Sequence, residues 1–189
     1  SGISLVKWLA RLQFGDPKLR QKSKRLSKKD IASPETQKLI ANMIHTLSSL
    51  QLGVGLAAPQ VGENVALFVI NIQPLPHRPQ AIPFEAVIIN PKITKLIGKP
   101  KQLWESCISS GDGQAGFFAK VPRYPKLELE YQDERGRLHK EKFSGLPAHV
   151  IQHEVDHLAG MLFVDRVMDS KTYITYQQYL KRIVKPAAK

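Results

Sequence analysis

The chain of 189 residues has only one cysteine, Cys107, and few acidic residues. A lone cysteine cannot form an internal disulfide, which indicates a reducing compartment. No apolar run approaches the roughly 20 residues that a membrane-spanning helix needs, and no secretory signal pattern opens the chain. We therefore do not expect the chain to be a membrane protein. The hydrophobic fraction of 42% and the charged fraction of 23% are typical of a globular protein. We expect a single domain over residues 1–189.

The shortage of acids leaves a formal net charge of +12, from 28 Lys and Arg against 16 Asp and Glu. Basic residues are concentrated in two segments. No acid occurs between Lys18 and Lys29, and Asp169 is the only acid after Met168. This pattern predicts attraction to a polyanion or an acidic surface, and a solvated basic face is the equal alternative. Aromatic residues do not interleave with the first segment, so a stacking surface for single-stranded nucleic acid is not indicated.

Periodicity predicts helices at both ends of the chain and strands in the middle. Ser33 before Pro34 is typical of a helix start, and apolar spacing predicts a helix of about 17 residues that ends at Gly53. We predict strands over 65–70 and 86–89, an exposed proline-rich loop over 74–83, a hairpin over 127–143, a helix between Gly145 and Gly160, and a basic last helix over about 170–185. The expected class is α+β, with mainly antiparallel or mixed sheets packed around a central helix.

That central helix carries the sequence His153-Glu154-Val155-Asp156-His157. In a helix, two imidazoles four residues apart lie on one face, where they can bind one metal ion, and Glu154 can handle the proton of a metal-bound water. A catalytic site commonly has a third protein ligand. The candidates are Cys107, the carboxylates and the other histidines His45, His77, His139 and His149. Three turns of one helix spread their outer ligands about 12 Å apart, so we expect His149 beside the site rather than on the metal.

Three short motifs in a fixed order resemble those of the peptide deformylases. They are Gly53-Val54-Gly55-Leu56-Ala57-Ala58-Pro59-Gln60, Glu105-Ser106-Cys107-Ile108-Ser109, and the histidine motif. The resemblance covers nearly all of the chain to about residue 170. It implies metal ligation by Cys107, His153 and His157. It also implies Fe²⁺ as the most frequent ion, with Zn²⁺, Ni²⁺ or Co²⁺ as replacements.

The resemblance further implies that the protein removes the formyl group from the N-terminal formyl-methionine of new polypeptides. Glu154 is expected to move the proton, and Gln60 and the backbone N–H of Ile108 to stabilise the oxyanion. Leu103, Leu146 and Val150 are the expected methionine pocket. The expected substrate-binding positions also include Val54, Gly55 and Glu105, with Glu105 and Arg123 holding the motif segments together.

The expected partners are N-formylmethionyl nascent peptides and, through the basic patches, the ribosome surface. Neither a membrane nor a sequence-specific nucleic acid is expected. The expected location is the bacterial cytoplasm, or an organellar matrix if a transit peptide was removed. Two alternatives stay open, an endopeptidase with a metal helix and a catalytically silent ribosome-associated module. A dinucleotide site at Gly53–Ala58 is disfavoured, because a helix precedes these glycines and Pro59 interrupts any helix after them.

Two departures from the family pattern concern the loop around the cysteine. Ser106 stands where the family has glycine, and a positive backbone φ there would strain a serine. We therefore expect an altered local conformation at this position. The segment over 110–117 is also longer than the common pattern, which predicts a changed rim of the substrate groove.

Overall fold

A long antiparallel sheet carries most of the buried core in the computed structural model, which describes residues 5–50, 52–112 and 115–185. The strands are β1 (Gly55–Ala57), β2 (Leu67–Ile72), β3 (Phe84–Ile97), β4 (Lys101–Glu105), β5 (Phe117–Arg123), β6 (Lys126–Gln132), β7 (Leu138–Ser144) and β8 (Ile174–Thr175). The helices are α1 (Lys28–Ala32), α2 (Pro34–Ser48), α3 (Gly145–Leu158) and α4 (Tyr176–Tyr179), which continues as a π-helical turn, Leu180–Val184. Short 3-10 turns occur at Pro17–Arg20, Ala58–Val61, Phe163–Arg166 and Ser170–Thr172.

Two sheets surround α3. The larger has the order β1-β2-β3-β6-β7 and the smaller β4-β5-β8, and all their pairings are antiparallel. Apolar side chains of the larger sheet, such as Phe68 and Leu127, pack with Ala148 and Ile151 of α3, and all four are 0% exposed. This arrangement confirms the predicted α+β class and the central position of the histidine helix. Among the described residues, no helix has the length and apolarity required to cross a membrane.

The structure confirms the start of α2 but not its end. The Ser33 side chain accepts a hydrogen bond from the Thr36 N–H, and Pro34 occupies the first turn, as predicted. The helix ends at Ser48, five residues before Gly53, because the Ser49 hydroxyl bonds the Thr46 carbonyl and the Leu50 N–H bonds the Leu47 carbonyl. These bonds satisfy the terminal carbonyl groups that a longer helix would have used.

The hairpin prediction is confirmed, whereas the strand before it is much longer than predicted. Asp133 organises the turn between β6 and β7 by accepting the backbone N–H groups of Arg135 and Arg137 at 2.9 and 3.0 Å. β3 extends to Ile97 through a bulge at Asn90, whose φ is +51°. Pro91 has no N–H for the ladder, and the Asn90 amide instead bonds the Leu26 carbonyl at 2.7 Å.

The predicted last helix is wrong over its first part. The segment over 170–175 forms a 3-10 turn and then β8, and the helix begins only at Tyr176. β8 pairs with Phe117 and Phe118 of β5, and Thr175 caps α4 by accepting the Gln178 N–H. A pairing with a distant strand decides this local structure, so the helical spacing of the tail could not reveal it.

Candidate metal centre

Cys107 and the two histidines of α3 meet at the junction of the two sheets. Their ligand atoms all lie within 4.8 Å of one another, and all three residues are buried. The Cys107 Sγ is 3.4 Å from the His157 Nε2, and the ring centroids of His153 and His157 are 5.0 Å apart. The helix supplies both imidazoles from adjacent turns, and the loop after β4 supplies the sulfur.

The donor set fits a divalent metal ion. One thiolate and two imidazoles are ligands that zinc and related ions accept, and three protein ligands leave a position for solvent or substrate. The His153 Nδ1 bonds the Glu105 carboxylate, which leaves its Nε2 for an ion, an arrangement common around metal-bound histidines. Within the described parts of the chain, these three residues form the only such group of His, Cys, Asp and Glu.

The other histidines lie elsewhere. His149 Nε2 bonds the Glu105 Oε2 at 2.8 Å, so this residue lies beside the centre. His139 bonds Asp133 in the β6–β7 hairpin, and His45 is on the exposed side of α2. His77 belongs to the proline-rich loop, at the edge of the same cavity.

A buried ion-pair network holds the elements of the centre together. Arg123 of β5 donates to both oxygens of Glu105 at 2.8 and 2.7 Å and to Asp156 Oδ2 at 2.7 Å. Arg123 is 3% exposed, and the two carboxylates are 6% exposed each. Arg166 donates two further hydrogen bonds to Asp156. The network ties the end of β4 and β5 to α3, so it fixes where the cysteine and histidine segments meet.

The same network sets the charge at the centre in the absence of an ion. Burial would raise the pKa of Glu105, but the His153 charge and hydrogen bonds from Arg123, His149 and His153 hold that pKa well below its usual range. Burial would lower the pKa of His153, but the Glu105 charge raises it well above its usual value. Burial and the His153 charge lower the pKa of His157. Glu105 therefore remains an anion that orients His153.

Glu154 lies between the histidines, against a glycine. Its side chain is 3% exposed, and among the described residues no partner bonds its Oε2. A Cβ built on Gly55 would lie 2.6 Å from the Glu154 Oε1, so a larger residue at this position would displace the Glu154 carboxylate. Burial raises the pKa of Glu154 to about 7. Such a carboxyl can accept and return a proton near neutral pH.

Gln60 and Ile108 lie next to the sulfur. The Gln60 Nε2 donates to the Cys107 Sγ at 3.4 Å and to the Ser109 Oγ at 3.1 Å, while its Oε1 accepts the Ala57 N–H at 2.9 Å. These bonds hold the Gln60 side chain between β1 and the loop that follows β4, and the residue is 1% exposed. Ile108 lines the cavity directly after the cysteine.

A cavity of about 650 Å³ opens over the centre. Val54, Gly55, Leu146 and Val150 line it, as do the catalytic and metal-ligand candidates Gln60, Glu105, Cys107, Ile108, His153 and Glu154. His157 lies beneath them, 1% exposed.

Leu103 is not among the residues that line this cavity, and its predicted place in the methionine pocket stays a prediction. Trp104 and Glu105, the next two residues of β4, both line the cavity. Leu103 pairs with Val121 of β5.

The sequence interpretation missed one wall of the cavity. Tyr176, Tyr179, Leu180 and Val184 of the C-terminal segment line it. Their spacing of three, four and eight residues from Tyr176 is that of an apolar helix face, which must pack against something. The pattern predicts that this helix face packs against another part of the protein, but not which part.

Ser106 has no positive φ, so the strain considered for a serine at this position does not arise, while the expected altered local conformation stays a prediction. Asn90 is the only residue other than glycine with a positive φ in the described part of the chain. The rim after Cys107 is instead shaped by Gly111, with φ of +134°, and by a 2.8 Å ion pair between Arg11 and Asp112. Residues 113 and 114 of the lengthened segment lie outside the described residues.

Comparison with known proteins gives one consistent result. The family model for polypeptide deformylase matches residues 9–173. The chain is 37% identical over 175 residues to peptide deformylase 2 of a Nostoc species, covering 92% of this chain and 94% of the relative. It is 44% identical over 154 residues to a peptide deformylase of a Picosynechococcus species, covering 82% and 76%.

Solved structures agree with these sequence relatives. A peptide deformylase of Synechococcus elongatus in complex with actinonin has a TM-score of 0.75 and 38% identity, over 94% of this chain and 87% of that one. The Met-Ala-Ser-bound enzyme of Acinetobacter baumannii has a TM-score of 0.79 and 29% identity, over 86% and 100%.

Proposed function

The chain belongs to the polypeptide deformylase family, and from this premise we propose how its own residues carry out the reaction. The protein is a metal-dependent hydrolase that removes the formyl group from the N-terminal formyl-methionine of newly made polypeptides. The observation that carries the proposal is the meeting of Cys107, His153 and His157 beside Glu154 in one cavity.

Cys107, His153 and His157 are the proposed metal ligands, and Glu105 orients His153. When bound, the ion polarises the formyl carbonyl and makes a water acidic enough to lose a proton near neutral pH. Glu154 accepts the proton of the attacking water and then donates it to the departing amine. Its position next to His153 on α3, with an Oε2 that no described residue bonds, supports this role.

Gln60 and the backbone N–H of Ile108 are the proposed donors to the oxygen that becomes negative during attack. The Gln60 amide already points between Cys107 and Ser109, so it can share a donor with an oxygen near the sulfur. Losing one such donor costs about 3 kcal/mol of transition-state stabilisation. We propose that Leu103, Leu146 and Val150 form the apolar pocket for the methionine side chain. The backbone of Val54 and Gly55 pairs with the peptide as an added strand.

Fe²⁺ is the proposed native ion, with Zn²⁺, Ni²⁺ and Co²⁺ as replacements. A thiolate next to ferrous iron is prone to oxidation. Activity of the iron form should therefore decay in air, whereas activity of a nickel-substituted form should persist. Equal decay of both forms would count against iron.

A formate-release assay on anaerobically purified protein tests the assignment of residues. Glu154→Gln should keep the metal and lose turnover by about 10² to 10⁴-fold. Cys107→Ala should lose both metal and turnover. Cleavage of internal peptide bonds without formate release would favour an endopeptidase. Absence of formate from the metal-loaded wild-type protein would favour a silent module.

We propose that the protein binds the ribosome surface. We also propose that it is a bacterial cytoplasmic protein and that residues 1–189 form one domain. Arg25 and Lys28 of the first basic segment share a depression of about 460 Å³ with Arg135 and Arg137 of the β6–β7 turn, so four basic residues come together there. Reversing the charges of Arg25 and Lys28 should weaken co-sedimentation with ribosomes at low salt and leave formate release unchanged. Deleting the tail after Asp169 would not separate the two functions, since α4 lines the cavity.

A further inference from the structure

The N-terminal arm, residues 5–14, crosses the molecule without forming a helix or a strand and ends beside the metal centre. Its last part is tied to both segments that carry the proposed oxyanion donors. The Leu12 N–H donates to the Gln60 carbonyl at 2.7 Å, and the Phe14 N–H donates to the Ser109 carbonyl at 2.8 Å. The arm therefore bridges the Gln60 turn and the loop that follows β4.

Two side chains of the arm converge on the carbonyl oxygen of Ile108. The Arg11 Nη1 donates to it at 3.2 Å and the Gln13 Nε2 at 3.4 Å. The Arg11 Nη2 also donates to the Asp112 Oδ1 at 2.8 Å, and the Arg11 side chain is only 11% exposed. A charged donor makes the stronger hydrogen bond. A guanidinium that is mostly buried and bonded on two sides therefore holds this carbonyl in one direction.

The direction of the Ile108 carbonyl bears on the N–H of the same residue. That N–H belongs to the peptide group that begins with the Cys107 carbonyl, which accepts the Ser110 N–H at 2.9 Å and the Ser110 hydroxyl at 2.7 Å. The next peptide group begins with the Ile108 carbonyl, which Arg11 holds. Because peptide groups are planar, only the φ and ψ angles of Ile108 can turn one group against the other. Holding both carbonyls therefore fixes where the Ile108 N–H points.

We propose that Arg11 is a positioning residue, whose guanidinium holds the Ile108 carbonyl so that the Ile108 N–H points at the oxygen that becomes negative during attack. This inference rests on the proposed role of the Ile108 N–H as an oxyanion donor. Such donors lower the barrier most when they are oriented before the reaction begins. Arg11 lies outside the three motifs and acts through Ile108, so its loss should lower kcat and leave KM unchanged.

Steady-state release of formate from formyl-Met-Ala-Ser by the metal-loaded protein tests this role. Arg11→Met keeps the length of the side chain and removes its donors, and it should lower kcat about tenfold with KM and metal content unchanged. Gln13 still bonds the carbonyl in this variant, so the loss is smaller than the roughly 10²- to 10³-fold of a deleted oxyanion donor. Arg11→Lys should keep kcat within about threefold of the wild type, because one charged donor can still reach the carbonyl.

Asp112→Ala is the matched control. It removes the other partner of Arg11, which is 74% exposed, and leaves the bond to the Ile108 carbonyl in place. An exposed ion pair contributes little, so kcat should stay within about twofold of the wild type.

Wild-type kcat in Arg11→Met would overturn the inference, and so would a raised KM with unchanged kcat. A fall in metal content that accounts for the lost kcat would also overturn it, since Arg11 would then only support the fold of the centre. An equal loss of kcat in Asp112→Ala would do the same, because the ion pair and not the carbonyl contact would then matter. Absence of formate from the metal-loaded wild-type protein would instead refute the proposed function, and this inference with it.

Discussion

Replacing Arg123 with methionine should destabilise the protein more than any exposed ion-pair substitution. Methionine has a similar length but no charge and no N–H donors. The change removes two hydrogen bonds to Glu105 and one to Asp156, all between groups that are at most 6% exposed. Asp156 keeps the two bonds from Arg166, but Glu105 keeps only the histidines His149 and His153.

The magnitude follows from the charge left behind. Removing one partner of a buried pair typically costs about 3 to 5 kcal/mol. In a protein of this size, each kcal/mol shifts Tm by about 2 to 4 °C, so the expected loss is about 6 to 20 °C. Metal affinity should fall as well, because Glu105 no longer holds His153 firmly, and losses of about 10- to 100-fold are typical of such partners. Urea unfolding followed by fluorescence and metal analysis of the purified protein measure both effects.

Arg20→Met is the control for this experiment. Arg20 pairs with Asp165 at the surface, where the side chains are 51% and 33% exposed. An exposed pair of this kind contributes about 0 to 1 kcal/mol. The reasoning would be refuted if Arg123→Met cost no more unfolding free energy than Arg20→Met, or if its metal content were unchanged.

Three further predictions concern the centre. Gly55→Ala should push the Glu154 carboxylate aside and sharply lower kcat for formate release, with little loss of Tm. Gly116→Ala is the control and should leave kcat unchanged, because a Cβ at Gly116 would have its nearest contacts at 3.9 Å. Ser106→Gly should not raise stability, because the serine is unstrained; a clear gain in urea midpoint would contradict this. Because folding depresses the pKa of Glu105, the Glu105 carboxylate contributes its full stabilisation above the usual pKa of 4.5. This stabilisation is lost as the pH falls below that value. Acid unfolding of Glu105→Gln should accordingly be less steep than that of the wild type, and identical acid profiles would refute the depressed pKa.

The histidine helix shows how much of the site the sequence could predict. Helical geometry alone places His153 and His157 on one face, and Ser33 and the Asp133 turn likewise follow from local chemistry. The meeting of Cys107 with these histidines does not follow from spacing, because it depends on the Arg123 network between distant strands. Here the prediction depended on the family resemblance.

Features decided by tertiary contacts were missed. β3 continues past Pro91 because the Asn90 side chain substitutes for ladder bonds. β8 exists because β5 offers an open edge to Ile174 and Thr175.

X-ray absorption of the anaerobically prepared protein tests the central claim most directly. The account predicts one sulfur and two imidazole nitrogens from the protein around one ion per chain, with the sulfur lost in Cys107→Ser. A coordination shell without sulfur in the active wild-type protein would contradict it.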